Sequence, residues 1–349
     1  MTYTRKLSVI MSVFNAEKFV GQSITSILNQ TYSDFEFIII DDGSTDSSSR
    51  IIKEYAQNDN RIRFHQNSNN IGITRSINYG LSLATGMYLA RMDADDISLY
   101  DRFQKQIAYL DRHPNVGILS ANCKVIDEFG NEIGISQYPR TDIEIRWHSI
   151  LNNPFCNPCS MFRSKLAFHE KLNPSMEYCE DYEYWNRLLR LTEGANLDEV
   201  LLYYRRGKEN VSTKYLIEQT EIATSVASSN LTALFGYDYF SKYEVSKLQH
   251  YSHHAIFPVD QDDQIIFLKW LKTYQIFKSK FSSFENKIEL KKIRKSLARS
   301  ITNLYLSNFH IIGFSSKLCL SLLFFSPIET IAISVRVLAK TLLKNMGLK

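Results

Sequence analysis

Tyr88-Leu89-Ala90-Arg91-Met92-Asp93-Ala94-Asp95-Asp96 is the stretch that decides how this chain is read. A mostly apolar, strand-like run ends in three carboxylates within four residues, Asp93, Asp95 and Asp96. Such groups repel one another and are costly to hold together without a compensating cation. A strand that ends this way presents hard oxygen donors at the carboxyl edge of a sheet, where open α/β folds place their ligands. Hard oxygens suit Mg2+ or Mn2+, ions that commonly bridge one or two carboxylates to a substrate's phosphates. The competing reading is an acidic turn that caps the next helix, with Asp96 or Ser98 as N-cap ahead of Arg102.

Outward from that turn, strand and helix signals alternate. Residues 7–14 read as a buried strand, and 17–30 carry Val20, Ile24, Ile27 and Leu28 at helical spacing. Residues 35–40 form a second apolar strand that closes on Asp41-Asp42-Gly43-Ser44, followed by a helix over 45–55 that Thr45 or Ser44 can cap. A strand over 62–65, a helix over 74–84, the strand over 88–92, a helix over 102–110 and a strand over 116–123 continue the series. Strands separated by helices of this length mean βαβ units, hence an α/β fold with a mostly parallel sheet. After Asp127 the pattern changes: a turn at 128–132, a breaker-rich loop at 152–158, a helix over 180–191 and a strand over 200–205. From about Ser212 onward the spacing is helical throughout (216–234, 240–250, 261–277, 288–300). The expected organisation is a catalytic α/β domain over 1–212 and a helical region over 213–349.

Composition agrees with a globular protein: 349 residues, 44% hydrophobic and 22% charged. A net charge of +4 is too mild to argue for nucleic acid as partner. The opening strand is too short for a secretory h-region and lacks a small-residue cleavage site. Five scattered cysteines, with Cys156-Asn157-Pro158-Cys159 as a lone CxxC, read as reduced thiols in a cytoplasmic protein.

A dinucleotide-binding fold would also place an acid after its second strand. It needs glycines after the first, where Val13-Phe14-Asn15-Ala16-Glu17 has none. No phosphate-binding P-loop occurs, nor the glycine- and basic-rich loop of a nucleotidyltransferase. The runs 7–17 and 27–37, then Ile38-Ile39-Ile40-Asp41-Asp42-Gly43-Ser44-Thr45-Asp46, Asn70-Ile71-Gly72-Ile73-Thr74-Arg75 and Met92-Asp93-Ala94-Asp95-Asp96-Ile97, together resemble a family 2 glycosyltransferase. The likeness runs to about residue 205.

That resemblance implies the GT-A nucleotide-diphospho-sugar fold, inverting transfer from a UDP-sugar donor, and Mn2+ or Mg2+ as cofactor. Carried residue by residue, it implies that Ser12 touches the base or ribose, Asp42 accepts the uracil N3–H and Arg75 stands beside a uracil carbonyl. Asp93 falls at the ribose- and metal-side acid and Asp95 at the direct metal ligand. Cys179-Glu180-Asp181-Tyr182-Glu183-Tyr184-Trp185 resembles the family's acidic pair at a helix start, with Asp181 as the base and Glu180 shaping the acceptor pocket. On chemistry alone, inversion needs one carboxylate to take the acceptor's proton. Adjacent acids at a helix N-terminus are also simple dipole partners, and Arg75 also reads as a solvated helix residue. Trp185 reads as an acceptor-sugar platform or as packing against the sheet.

Two departures stand out. Asn157 occupies a place where relatives often carry His, and Tyr204-Arg205-Arg206-Gly207-Lys208-Glu209-Asn210-Val211-Ser212 lacks the usual late His. Arg205, Arg206 or Lys208 is expected to neutralise pyrophosphate oxygens instead. In the tail, Lys278, Lys280, Lys287, Lys291, Lys292, Arg294, Lys295 and Arg299 precede interrupted apolar stretches at 318–325 and 328–343. None supplies the roughly 20 apolar residues of a spanning helix. Basic helices before amphipathic ones suggest an anionic membrane surface as partner, on the inner face of the cell membrane. The acceptor is then expected to be a saccharide or lipid-linked saccharide of a surface polysaccharide (capsule, O-antigen or exopolysaccharide). The alternative is a catalytically silent glycan-binding subunit, against which the intact pairs Asp93/Asp95 and Glu180/Asp181 argue.

Overall fold

The computed structural model describes residues 4–207, 210–253, 261–283 and 285–307. Strands β1 (Arg5–Val13), β2 (Phe35–Asp41), β3 (Ile62–Gln66) and β4 (Gly86–Asp93) alternate with helices α1 (Val20–Leu28), α2 (Ser48–Asn58) and α3 (Ile73–Leu83). Then come β5 (Ile97–Ser98), α4 (Arg102–Arg112), β6 (Val116–Ile126), β7 (Glu132–Ser136), α5 (Asp142–His148), β8 (Met161–Arg163), α6 (Ser164–His169), α7 (Glu180–Leu188) and β9 (Glu193–Arg205). Helices α8 (Val211–Lys214), α9 (Leu216–Phe235), α10 (Lys242–His253), α11 (Gln261–Lys280) and α12 (Lys287–Ser307) complete the described chain.

The strands lie in the order β3-β2-β1-β4-β8-β6-β9-β5, with β7 paired to β6. The first four are parallel, as the βαβ spacing predicts; beyond β4 the pairing is mixed, antiparallel at β8, β7 and β5 and parallel between β6 and β9. From β1 the chain winds outward to β2 and β3, then returns to place β4 on the other side of β1. That reversal is the switch point at which open α/β sheets form a crevice beyond the carboxyl ends of their strands.

Both faces of the sheet are covered, which is why β2 is buried along its whole length. Leu7, Val9, Met11, Tyr88, Ala90 and Met92 pack on one side with Ile24 and Ile27 of α1 and Phe103 and Leu110 of α4. Ile10, Leu89 and Phe162 pack on the other with Ile77 of α3 and Tyr184, Trp185 and Leu188 of α7. With Leu89 in that second cluster and Arg91 in register with Ile10, the alternation along β4 assigns Leu89, Arg91 and Asp93 to the α7 face.

Several boundaries differ from the spacing-based expectation, each for a local reason. The side chain that meets the start of α2 is Asp46, which accepts the Ser48 N–H (2.9 Å), not Thr45 or Ser44. Helix α7 ends at Leu188, and β9 begins at Glu193 rather than 200 because it follows β6 in parallel through register shifts. The helix-cap reading of the acidic turn fails. Asp96 instead accepts the backbone N–H of Arg205 (2.8 Å), and Ser98 lies in β5.

Contacts divide the chain into two compact units, 1–149 with 153–223, and 150–152 with 224–349. In the second, α11 and α12 pack together, burying Phe267, Tyr274 and Phe277 from one and Leu290, Ile293 and Ile301 from the other. Lys278, Lys280, Lys291, Lys292 and Arg299 remain exposed. Among the described residues no helix is long and apolar enough to cross a membrane. The stretches 318–325 and 328–343, Cys319 and Lys208 lie outside the described residues. The other four cysteines are free and buried.

Candidate active site

The carboxyl ends of β1 and β4 bring the first group of expected residues together. Ser12 is in register with Asp93 across the switch point. The backbone N–H of Asp42 donates to Val13 O (2.7 Å) on the other flank of β1. The Asp42 side chain, 2% exposed, accepts from Ile71 N–H (3.0 Å), Gly72 N–H (3.0 Å) and Asn67 Nδ2 (2.8 Å). An ionised carboxylate has about four lone-pair directions, so one acceptor direction remains. Gly72 has φ +93°, a conformation that favours glycine, and a Cβ there would stand 2.6 Å from Glu177 Oε1, so the loop lies close to the segment before α7. Arg75, exposed on the first turn of α3, donates to Ile71 O (3.2 Å) and lines an open hollow with Asn69, Asn70, Gly72 and Glu177.

The acidic turn is partly braced. Ser23 Oγ reaches the carbonyls of Ala94 (2.8 Å) and Asp96 (2.7 Å), and Asn210 Nδ2 donates to Asp95 Oδ2 (2.7 Å). Burial, then the neighbouring Asp93 charge, pushes Asp95 up to about 6. Asp96, fully buried, is driven up by burial and then by Asp95 and Asp93, and one of its oxygens has no hydrogen-bond partner. Among the described residues no three His, Cys, Asp or Glu side chains form a ready-made metal cage. A turn of desolvated, mutually repelling oxygens nevertheless suits a hard cation that brings its own waters and phosphate ligands.

The second acidic pair opens α7. Asp181 accepts from Tyr182 N–H (2.7 Å) through one oxygen and from Asn153 Nδ2 (2.7 Å) through the other. Glu180, 6% exposed, is pushed up to about 8 by burial and then by Asp181. Asp181 is raised too, by burial, against the pull of Tyr182 N–H, Arg91 and Asn153. The Asp93 charge raises both, so the strand-end and helix-start acids share one electrostatic environment.

Two expectations change. Trp185 is 1% exposed and packs edge-on against Phe155 and Phe162, so it is core and not a sugar platform. Arg205 is 3% exposed, and its guanidinium bonds to the carbonyls of Asp95 (2.8 Å), Asp127 (3.1 Å) and Glu128 (3.3 Å) and to Gln22 Oε1 (2.8 Å). It braces the acidic turn, and no pyrophosphate role follows from that geometry. Sequence reasoning missed Arg91, Asn153 and Asn210. Arg91 did leave a signal, a charged residue inside a strand otherwise fit for burial on both faces. Tyr178, just before the acid pair, has φ +72°, stacks on Tyr215 (ring centroids 4.2 Å apart) and accepts from Gln219 through its carbonyl.

The sequence profile of the family described as "Glycosyl transferase family 2" matches residues 8–168. A glycosyltransferase of Haemophilus influenzae, described as uncharacterized, is 36% identical over 238 residues, which are 65% of this chain and 73% of the relative. The Escherichia coli O-antigen biosynthesis glycosyltransferase WbnJ is 34% identical over 209 residues, 57% of this chain and 79% of its own. Among solved structures, S. aureus TarS 1–349 in complex with UDP superposes with a TM-score of 0.54 at 17% identity, covering 93% of this chain and 88% of that one. The mannosyltransferase PcManGT from Pyrobaculum calidifontis, in complex with GDP-Man and Mn2+, gives 0.53 at 15% identity, covering 95% and 88%. At these identities the two structures show the fold, which is GT-A.

Proposed function

The chain belongs to glycosyl transferase family 2, and from that premise we propose that it moves a sugar from UDP to a saccharide hydroxyl, with inversion, in assembly of a surface polysaccharide. Its being a glycosyltransferase follows from family membership. Donor, stereochemistry and acceptor are our reading. The observation that carries the reading is that β4, which ends in Asp93, packs through Leu89 against α7, the helix that opens with Glu180 and Asp181; the Asp93 charge raises both of those acids. A transferase needs acids toward the leaving diphosphate and an acid toward the incoming hydroxyl within one cleft.

In this mechanism the remaining acceptor direction of Asp42 takes the uracil N3–H, with Arg75 beside the ring and Ser12 and Asp93 toward the ribose. Asp93 and Asp95 would hold Mn2+ or Mg2+, which when bound supplies positive charge against the diphosphate. Asp181 takes the proton of the acceptor hydroxyl as its oxygen bonds to the anomeric carbon; the bond to the UDP oxygen breaks on the opposite side, its electron pair leaving with UDP. Glu180, kept protonated near neutral pH by burial, is suited to donate a hydrogen bond. The relatives' names support the polysaccharide context, WbnJ as an O-antigen biosynthesis enzyme, and TarS with UDP supports the donor class. We read the exposed lysines of α11 and α12 as a seat on an anionic membrane surface beside a lipid-linked acceptor.

A panel of UDP- and GDP-sugars tests the reading through donor hydrolysis and UDP titration with and without Mn2+. Hydrolysis of a UDP-sugar is expected; binding of neither UDP nor any nucleotide sugar would instead favour a silent glycan-binding subunit.

A further inference from the structure

The strand that delivers the acidic turn also carries a cation into the protein interior. Along β4, Leu89 packs toward Phe162, Tyr184 and Trp185, and the two-residue alternation puts Arg91 and Asp93 on that same side, facing α7. Arg91 is 2% exposed. Burying a guanidinium is costly unless charge and hydrogen bonds compensate it. Its neighbour Arg102, fully buried, has such bonds, to Gln106 and to the carbonyls of Arg91 and Ser160. Arg91 is held more thinly. Its Nη2 meets Asp93 Oδ1 at a long 3.4 Å, and Nε has no hydrogen-bond partner.

What compensates Arg91 is therefore mainly charge, and the groups around it are all at the candidate site. Asp93 precedes the acidic turn on its own strand, while Glu180, Asp181 and Tyr184 on α7 all sense its charge. We propose that Arg91 is a positioning residue of the transfer reaction, the shared counter-charge that holds the acceptor-side acids of α7 facing the donor-side acid of β4. It acts through Asp181 and Glu180 and does not touch substrate; the inference rests on the assignment of Asp181 as base. Without it, carboxylates from two elements would face one another across a cleft that must also admit a diphosphate. A planar, permanently charged fork can serve two elements at once, which the single-point ammonium of lysine does less well.

Two measurements separate this role from packing. The first is a double-mutant cycle on melting temperature, which needs no substrate. Arg91→Met keeps much of the stem volume and should lower Tm in the native background. In a Glu180→Gln/Asp181→Asn background the loss should shrink to less than half, because the α7 charge, chiefly that of Asp181 near neutral pH, is gone and only Asp93 still needs the cation. Equal losses in the two backgrounds would overturn the proposal. Should Arg91→Met not fold, Arg91→Lys enters the same cycle under the same criterion.

The second is kinetic, with the donor found by the nucleotide-sugar panel. Arg91→Met should cut kcat by about 100-fold with donor KM within about threefold, and Arg91→Lys should recover part of the loss. An unchanged kcat, or a KM that rises in step with the loss, would overturn the proposal. A protein that binds and hydrolyses no nucleotide sugar would sink the functional reading instead, and the melting cycle would still decide Arg91.

Discussion

Ser8 and Ser12 lie four residues apart on β1, about 13 Å along the strand, and mark two ends of one sheet that treat buried acids oppositely. At the amino end, Glu36 accepts from Ser8 Oγ (2.6 Å), from Thr85 N–H and Oγ (both 2.7 Å) and from Arg63. Burial alone would raise Glu36, yet these partners hold it below its ordinary value of 4.5. At the carboxyl end, Asp95 is pushed to about 6 and Glu180 to about 8. The same chain that satisfies one carboxylate fully leaves a cluster of others short of donors and cations. Acids raised by desolvation and by one another are what the proposed transfer site calls for, whereas the acid at the amino end is held by donors that belong to the fold.

The strongest way to break this contrast is Asp181→Asn. The amide keeps the volume but cannot take a proton, so transfer should fall by about 10²–10⁴-fold while UDP affinity by calorimetry is unchanged. Retained turnover would make Asp181 one more structural acid and move the base to Glu180 or elsewhere. Next in size is Asp95→Ala, which should remove the gain in donor affinity that Mn2+ confers. Asn210→Ala, which frees Asp95 Oδ2, should weaken that gain by about 10-fold, the usual effect of losing a ligand's supporting bond. A Mn2+ response identical to the native one in Asp95→Ala would show that the crowded turn is not the cation's seat.

The strand-end placement of the acids was legible because it is local. Asp42 and Asp93 follow continuous apolar runs, and strand ends are fixed by the same residues that bury the strands. The βαβ rhythm then predicts that those ends share an edge. The contacts that support these acids come from distant segments, and one-dimensional spacing carries no record of that. Asn153 meets Asp181 from a loop 28 residues away, and Asn210 reaches Asp95 across 115. Neither pairing has a periodic signature. Trp185 stood open between platform and packing, and Arg205 misled, for a related reason: chemistry makes both plausible ligand contacts, and only packing reveals that Trp185 fills the α7-side core and Arg205 ties β9 to the acidic turn. Arg91 was hidden by its strand, where one charge among apolar residues reads as an exception until the face it occupies is known.

Stability measurements sharpen the comparison further. Glu36→Gln should cost about 1–3 kcal/mol at pH 7, since a buried, charge-assisted network loses its acceptor. The sign follows from linkage. Glu36 titrates lower in the folded protein, so its contribution is fully present above pH 4.5 and is lost as pH falls through the folded value. The variant's deficit should therefore vanish in acid, and a deficit independent of pH would mean that shape, not charge, matters at the amino end.

The same substitution at the other end should have the opposite sign. Glu180 titrates higher in the folded protein, so between pH 4.5 and about 8 the native state keeps a proton that the unfolded chain has released. Stability must fall as pH rises across that window. Gln at 180 imitates the protonated acid at every pH, so Glu180→Gln should match the native protein near pH 4.5 and exceed it at pH 8, by about 1 kcal/mol or roughly 2 °C in Tm. If Glu180 serves the proposed transfer, activity should decline while stability rises. Melting curves of Glu36→Gln and Glu180→Gln from pH 2 to 8 thus yield slopes of opposite sign, the first below pH 4.5 and the second above it. If both variants are destabilised in parallel, the carboxyl end is an ordinary part of the core and its acids are not held in reserve for a substrate.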